Sequence, residues 1–253
     1  MSTDGSGSRA PAVRVVRDAD AAGHMAACLL VDAARAAVAE RGRFTLAIPG
    51  GSSPKAVFRS LAEPERRDDF PWSATDIFWV DERAVAADHA DSNSGAFLRD
   101  ALPLLPIDPE RLHRMQGEFG PDRGAAAYAE TLANVLNADG EDAVLDAVLL
   151  GIGEDGHVAS LFPGADALEA SGAVIGVTDS PKPPPERITL TLGVLRRARL
   201  MIVLAIGSGK ADAVARAMRG EPLPARLVSE GVNAVWIVDE GGASLAEIDR
   251  EPA

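Results

Sequence analysis

The chain carries a single cysteine, Cys28, in 253 residues, so no internal disulfide can form and a reducing, cytoplasmic setting is expected. No run approaches the ~20 continuous apolar residues that a membrane helix needs. The Ser- and Gly-rich start, Met1 to Arg9, lacks the apolar centre of a signal peptide. No membrane partner is expected. Basic residues are also in short supply. Against 38 Asp and Glu stand 25 Lys and Arg, a formal net charge of −13, whereas nucleic-acid binders carry a basic face. No nucleic-acid partner is expected either, and an anionic small molecule would have to be caught by local basic groups against the overall field. There is no Gly-x-Ser-x-Gly elbow of the kind that presents a hydrolase serine. His24, His89, His113 and His157 show no ligand spacing with one another or with Cys28, so no metal site is expected.

What is present is the balance of an ordinary globular protein, 47% hydrophobic and 25% charged, enough to build a large core. Apolar runs of strand length alternate with longer helical stretches. Strands are expected at Val13–Val16, Phe44–Ile48, Ile77–Val80, Ala143–Leu150, Ala173–Val177, Leu200–Ile206 and Ala234–Val238. Helices are expected from about Asp18 to Glu40 and at Pro54–Leu61, Asp122–Leu136 and Ala211–Met218. This alternation predicts an α/β fold with a central, mostly parallel sheet covered by helices on both faces. Proline clusters at Leu102–Pro109 and Ser180–Pro185 read as loops, the second as the most mobile segment. Neither repeats nor a composition shift mark an internal boundary. One domain over residues 12–246 is expected, with short tails at 1–11 and 247–253. A monomer is expected, with a dimer also compatible.

The informative residues stand directly after four strands. Phe44–Ile48 runs into Pro49-Gly50-Gly51-Ser52-Ser53-Pro54, and Ile77–Val80 into Asp81-Glu82-Arg83. Ala143–Leu150 runs into Gly151-Ile152-Gly153-Glu154-Asp155-Gly156-His157, and Leu200–Ile206 into Gly207-Ser208-Gly209-Lys210. Open parallel sheets bind ligands beyond the carboxyl ends of their strands, so all four loops are directed at one edge. Gly50 and Gly51 allow backbone N–H groups to approach an anion, Ser52 adds a hydroxyl, and Pro54 suits the first turn of a helix. A plain strand-to-helix turn would read the same way. Gly207–Lys210 is not a P-loop: Leu204 stands where its first glycine belongs and Ala211 where its Ser or Thr belongs. A lysine at a helix start remains, either a phosphate partner or simply solvated.

Gly151-x-Gly153-x-x-Gly156 matches the dinucleotide fingerprint, and Asp179 lies about where a ribose-binding acid would. The reading fails because Glu154 and Asp155 would occupy the pyrophosphate position, and Pro163-Gly164 would end the following helix within two turns. His157, two residues from Asp155, could be oriented by it and act as a general base, or be a satisfied structural histidine.

Taken together, these segments resemble the 6-phosphogluconolactonases, within the larger group that includes glucosamine-6-phosphate deaminases. The resemblance rests on Ile48–Pro54, Trp79–Arg83, Asp91-Ser92-Asn93, Leu150–Pro163, Arg187–Thr191 and Gly209-Lys210-Ala211, in family order. It implies hydrolysis of 6-phospho-D-glucono-1,5-lactone to 6-phosphogluconate in the oxidative pentose phosphate pathway, with no metal or organic cofactor. It also implies roles. His157 would activate water, with Asp155 beside it and Asp81 close by. Gly50, Gly51, Ser52, Arg187 and Lys210 would bind phosphate, and Asp81 and Arg83 would line the pocket. The partner implied is a small phosphosugar lactone. Arg83, or a backbone N–H of the Gly151–Gly156 loop, would stabilise the oxyanion.

The resemblance leaves two alternatives, a glucosamine-6-phosphate deaminase or isomerase and a non-catalytic sugar-phosphate binding domain. Deaminases carry a glutamate five residues after the histidine, where this chain has Phe162, which cannot ionise. Sensing domains usually follow an N-terminal DNA-binding module, for which the first 12 residues leave no room.

Overall fold

The computed structural model describes residues 11–138 and 140–248. The strands are β1 (Ala12–Val16), β2 (Phe44–Ile48), β3 (Thr75–Trp79), β4 (Asp81–Arg83), β5 (Leu112–His113), β6 (Ala147–Gly151), β7 (Val174–Val177), β8 (Arg187–Leu190), β9 (Leu200–Ala205) and β10 (Ala234–Asp239). Between them run α1 (Ala19–Arg41), α2 (Ser53–Leu61), α3 (Pro64–Asp69), α4 (Asn93–Asp100), α5 (Pro121–Leu136), α6 (Leu192–Arg196), α7 (Ala211–Met218) and α8 (Pro224–Ser229). Seven strands form a parallel sheet in the order β1-β10-β9-β6-β2-β3-β5. Every residue of β2 and β3 is buried, because their apolar runs are covered on both faces. This is the α/β architecture expected from the sequence.

Helix α1 shows how the layers close. Asp18 caps its start by accepting from the Ala21 N–H at 2.9 Å, and Gly42 ends it at φ 76°. Its buried stripe is mostly alanine, with Gly23 at the crossing of α2. A Cβ on Gly23 would lie 2.6 Å from the Ala56 backbone, so only glycine permits that approach. By length and composition α1 could also cross a membrane, but its eight buried residues pack against α2 and the sheet as a core helix does.

The chain's path places the ligand crevice. From β2 it moves outward through β3 to the edge strand β5, then returns to the other side of β2 as β6 and continues through β9 to β10. The strand order therefore reverses between β2 and β6, the point where such sheets bind ligands. Pairing there is short: only Leu46 with Ala147 and Ala47 with Val148, against five pairs at the junctions flanking it, β2–β3 and β6–β9. At the amino ends of these strands the buried Asp146 carboxylate fastens them. It accepts from the Thr45 N–H at 2.9 Å, the Thr45 hydroxyl at 3.0 Å and Arg41 at 2.9 Å.

Three expectations need correction. Residues 173–177 do not join the main sheet. As β7 they pair antiparallel with β8, which pairs antiparallel with β4 in a separate three-stranded sheet. β4 is the charged triplet Asp81-Glu82-Arg83 and β8 is Arg187-Ile188-Thr189-Leu190, so neither shows the apolar run that signals a strand. The strand expected over Ala143–Leu150 begins only at Ala147, since Asp146 is engaged as the fastener. The Leu102–Pro109 stretch is not wholly irregular, as Leu102–Leu104 makes a 3₁₀ turn. Of the expected tails, only residues 11, 247 and 248 lie within the described residues, and Ile248 packs against the core.

Candidate active site

The four loops converge on a cleft of about 510 Å³ at the carboxyl ends of β2, β6 and β9. The loop after β2 turns through Gly51 at φ 86° into α2. Gly50 is fixed by its neighbour: a Cβ there would sit 1.8 Å from Asn93 Oδ1. No cap bond consumes the Ser52 hydroxyl, which faces the cleft. Across from it, Asp81 is buried with both oxygens engaged. Ser160 Oγ donates to Oδ2 at 2.7 Å, Asn93 Nδ2 to Oδ1 at 3.1 Å, and the Arg187 guanidinium stands 3.9 Å away.

Glu82 holds this wall in place. Its buried carboxylate accepts the backbone N–H groups of Arg83 (2.8 Å), Asn93 (2.6 Å) and Ser94 (2.8 Å), and the Ser92 hydroxyl (3.1 Å). Its negative charge meets the amino end of α4, where such charge is stabilised. That fixes Asn93, and through Asn93 it fixes Asp81. Arg83 donates through Nη1 to the Asp91 carbonyl, while its buried Nε has no partner among the described residues.

The loop after β6 folds back sharply instead of starting a helix, which removes the dinucleotide reading. The Gly153 N–H donates to the His157 carbonyl at 2.8 Å, and the Gly156 N–H to the Gly153 carbonyl at 3.0 Å, with Gly156 at φ 86°. This turn brings Asp155 Oδ1 to 2.5 Å from His157 Nδ1. The imidazole lies against the Phe162 ring, centroids 4.5 Å apart, so the position of a deaminase glutamate is here an apolar wall. Burial pushes the His157 pKa below its usual value. The Asp155 hydrogen bond and charge pull it up, Lys182 pushes it down, and Asp81 also raises it. Asp155 is destabilised as an anion by burial, yet its bond and charge interaction with His157, helped by Lys182, hold its carboxyl below the usual range.

After β9, Gly207 at φ 93° leads into a 3₁₀ turn that places Lys210 at the head of α7, lining the cleft. Arg187 also lines the cleft, but its guanidinium is heavily engaged. Nε donates to the Pro184 carbonyl at 3.1 Å, Nη2 to the carbonyls of Lys182 (3.0 Å) and Pro183 (3.2 Å), and Nη1 to Ser160 Oγ at 3.4 Å. The 180–185 loop, expected to be mobile, is thus tied to β8.

Of the residues singled out in the sequence, Gly50, Gly51, Ser52, Asp81, Arg83, His157, Arg187 and Lys210 all line the cleft, and Asp155 stands behind His157. Sequence reasoning gave no role to Asn93, Ser160, Glu82 or Lys182. Asn93 and Ser160 sit inside segments that carried the resemblance, but only their contacts reveal what they hold. Among the described residues no group of three or more His, Cys, Asp or Glu is placed to hold a metal ion.

An open parallel sheet whose switch-point cleft gathers cations, carboxylates and a carboxylate-paired histidine defines an α/β protein with a polar cleft at the carboxyl ends of its strands. The chain belongs to the family described as "Glucosamine-6-phosphate isomerases/6-phosphogluconolactonase", which matches residues 17–236. It is 37% identical to the 6-phosphogluconolactonase of Streptomyces coelicolor over 92% of this chain and 94% of that one. It is 39% identical to the 6-phosphogluconolactonase of Mycobacterium tuberculosis, over 92% of this chain and 97% of that one. The solved structure of the Trypanosoma cruzi 6-phosphogluconolactonase superposes with a TM-score of 0.82 at 26% identity, covering 96% of this chain and all of that one (100%).

Proposed function

We propose that the protein hydrolyses 6-phospho-D-glucono-1,5-lactone to 6-phosphogluconate, with His157 as the general base. The observation that carries this reading is the Asp155–His157 pair backed by Phe162 at the cleft. Asp155 takes the Nδ1 side, which leaves Nε2 as the ring nitrogen available to a water. Burial favours the neutral imidazole, the form that accepts a proton. Attack at the lactone carbonyl makes a tetrahedral oxyanion, and protonated His157 can then give its proton to the departing ring oxygen.

The oxyanion would be met by Arg83 or by the loop after β6, both of which line the cleft. The N–H groups of Ile152, Gly153 and Gly156 already donate to Leu204, His157 and Gly153, and Arg83 Nε is buried. That leaves the terminal nitrogens of Arg83, and the N–H groups of Glu154 and Asp155, which are free of hydrogen bonds among the described residues. Lys210 and the Gly50-Gly51-Ser52 turn would receive the phosphate, turning its binding into orientation of the reacting carbon. Arg187 supports this end of the cleft, holding the proline loop and Asp81 as well as facing the ligand. The relatives named 6-phosphogluconolactonase support the substrate. Phe162 weighs against deamination, because it fills the position of the deaminase glutamate with a ring that cannot ionise.

The test is direct. Purified protein should open 6-phosphogluconolactone faster than buffer does, and should release no ammonia from glucosamine 6-phosphate. His157→Ala should cut kcat/KM by roughly 10²- to 10⁴-fold, the usual worth of a positioned acid–base group. Ammonia release, or a folded His157→Ala variant that keeps full turnover, would overturn the reading.

A further inference from the structure

Lys182 stands in the proline loop, far in sequence from the His157 turn, yet its ammonium lies 3.5 Å from Asp155 Oδ1. That is the same oxygen that takes His157 Nδ1 at 2.5 Å. The loop is built to hold it there. The Lys182 N–H donates to Ser180 Oγ at 3.3 Å. Its carbonyl accepts from that same hydroxyl and from Arg187, each at 3.0 Å. Arg187 secures the next two carbonyls as well. The fastened backbone roots the side chain beside Asp155, and the 3.5 Å ion pair is what holds the ammonium of this 42% exposed side chain there.

We propose that Lys182 is a positioning residue for His157: by sharing the Asp155 oxygen that orients the imidazole, it limits how firmly Asp155 can hold a proton on that ring. This rests on the reading of His157 as the base. The charged groups around the imidazole make the case. Asp155 from its own loop and Asp81 from β4 both favour the protonated ring. Phe162, packed on the ring face, offers no charge. Arg83, Arg187, Lys210 and Glu154 line the same cleft. Lys182 is the cation placed on the orienting carboxylate itself, and it acts in the same direction as burial, toward the neutral base. Without it, two carboxylates would keep His157 protonated, and idle, to a higher pH.

The experiment compares wild type, Lys182→Met and Lys182→Arg by two readouts. One is NMR titration of the His157 ring in the free protein, assigned by its loss in His157→Ala. The other is the pH–rate profile of lactone hydrolysis. In Lys182→Met the titration and the acidic limb should both move to higher pH. Activity on that limb, relative to the plateau, should fall about threefold, the order expected of a half-exposed charge. Lys182→Arg should restore both. An unmoved His157 titration would overturn the proposal. So would a many-fold rise in KM with the limb in place, which would make Lys182 a substrate contact. If the wild type opens no lactone, the function reading fails, while the titration still decides what Lys182 does to His157.

Discussion

Gly153→Ala isolates the Asp155–His157 geometry in a way that removing either side chain does not. Gly153 does not adopt a positive φ, so alanine fits its backbone without strain. The obstacle is space. The added Cβ would lie 2.0 Å from His157 Nδ1, 2.1 Å from Cε1 and 2.5 Å from Asp155 Oδ1. To move from 2.0 Å to the 3.4 Å of an ordinary contact, the imidazole must retreat by about 1.4 Å. A hydrogen bond of 2.5 Å does not survive that displacement in place, and neither does the aim of Nε2 at the cleft. Misplacing a reacting group by ~1 Å can cost 10²-fold, so kcat/KM should fall about a hundredfold. The overpacking should cost roughly 1–3 kcal/mol of stability, leaving the protein folded at room temperature. The assay is steady-state lactone hydrolysis beside thermal unfolding. A folded Gly153→Ala protein with more than a tenth of wild-type kcat/KM would refute the idea that this packed geometry is what activity depends on.

Three other outcomes follow from the site. Lys210→Ala should raise KM for the phosphorylated lactone about tenfold or more, since a charge-assisted contact to a dianion is lost, and should leave hydrolysis of unphosphorylated gluconolactone nearly untouched. Equal damage on both substrates would make Lys210 structural. Glu82→Ala should lower stability by about 3 kcal/mol or more in denaturant unfolding, because the variant strands the buried N–H donors of Asn93 and Ser94 and the half-buried one of Arg83 at once. A change under ~1 kcal/mol would show that water replaces the carboxylate. The pH profile of kcat/KM should rise through an acidic limb centred below 6.5, because burial lowers the His157 pKa and the neutral ring is the active form. A limb centred above 6.5 would mean that the Asp155 and Asp81 charges win over burial.

The sequence made the main sheet and the cleft legible for one reason: β2, β6 and β9 are apolar runs with a glycine at their end or within two residues of it. The expected β2 and α7 boundaries agree with the structure to the residue. The small sheet was not legible, because β4 and β8 bury charged residues that are satisfied by main-chain groups of loops, a pairing that no side-chain pattern encodes. Arg187 is satisfied by the carbonyls of residues 182–184, and Glu82 by the backbone of residues 83, 93 and 94. No local pattern announces such burial. The short helices α3, α6 and α8, of five or six residues, span too few turns for a helical period to show. Lys182 was invisible as a site residue because its proline-rich surroundings read as a mobile loop.

The short pairing between β2 and β6 has a thermodynamic consequence. Within the sheet, two residue pairs and the Asp146 fastener join one half, β1-β10-β9-β6, to the other, β2-β3-β5, with α1 and α2 packed across the junction. The cleft draws Gly50 and Ser52 from the loop after β2 in one half, and His157 and Lys210 from the loops after β6 and β9 in the other. A molecule seated there is therefore a crosslink between halves as well as a ligand. Its binding free energy adds to the cohesion of the whole domain, by RT ln(1 + [L]/Kd) for ligand in excess, or about 2.7 kcal/mol at a hundredfold excess over Kd. The amides of Leu46, Ala47, Ala147 and Val148 report that cohesion, because they sit where the halves part first. Their hydrogen exchange should slow with ligand more than that of the β9–β10 pair, which already belongs to a single half.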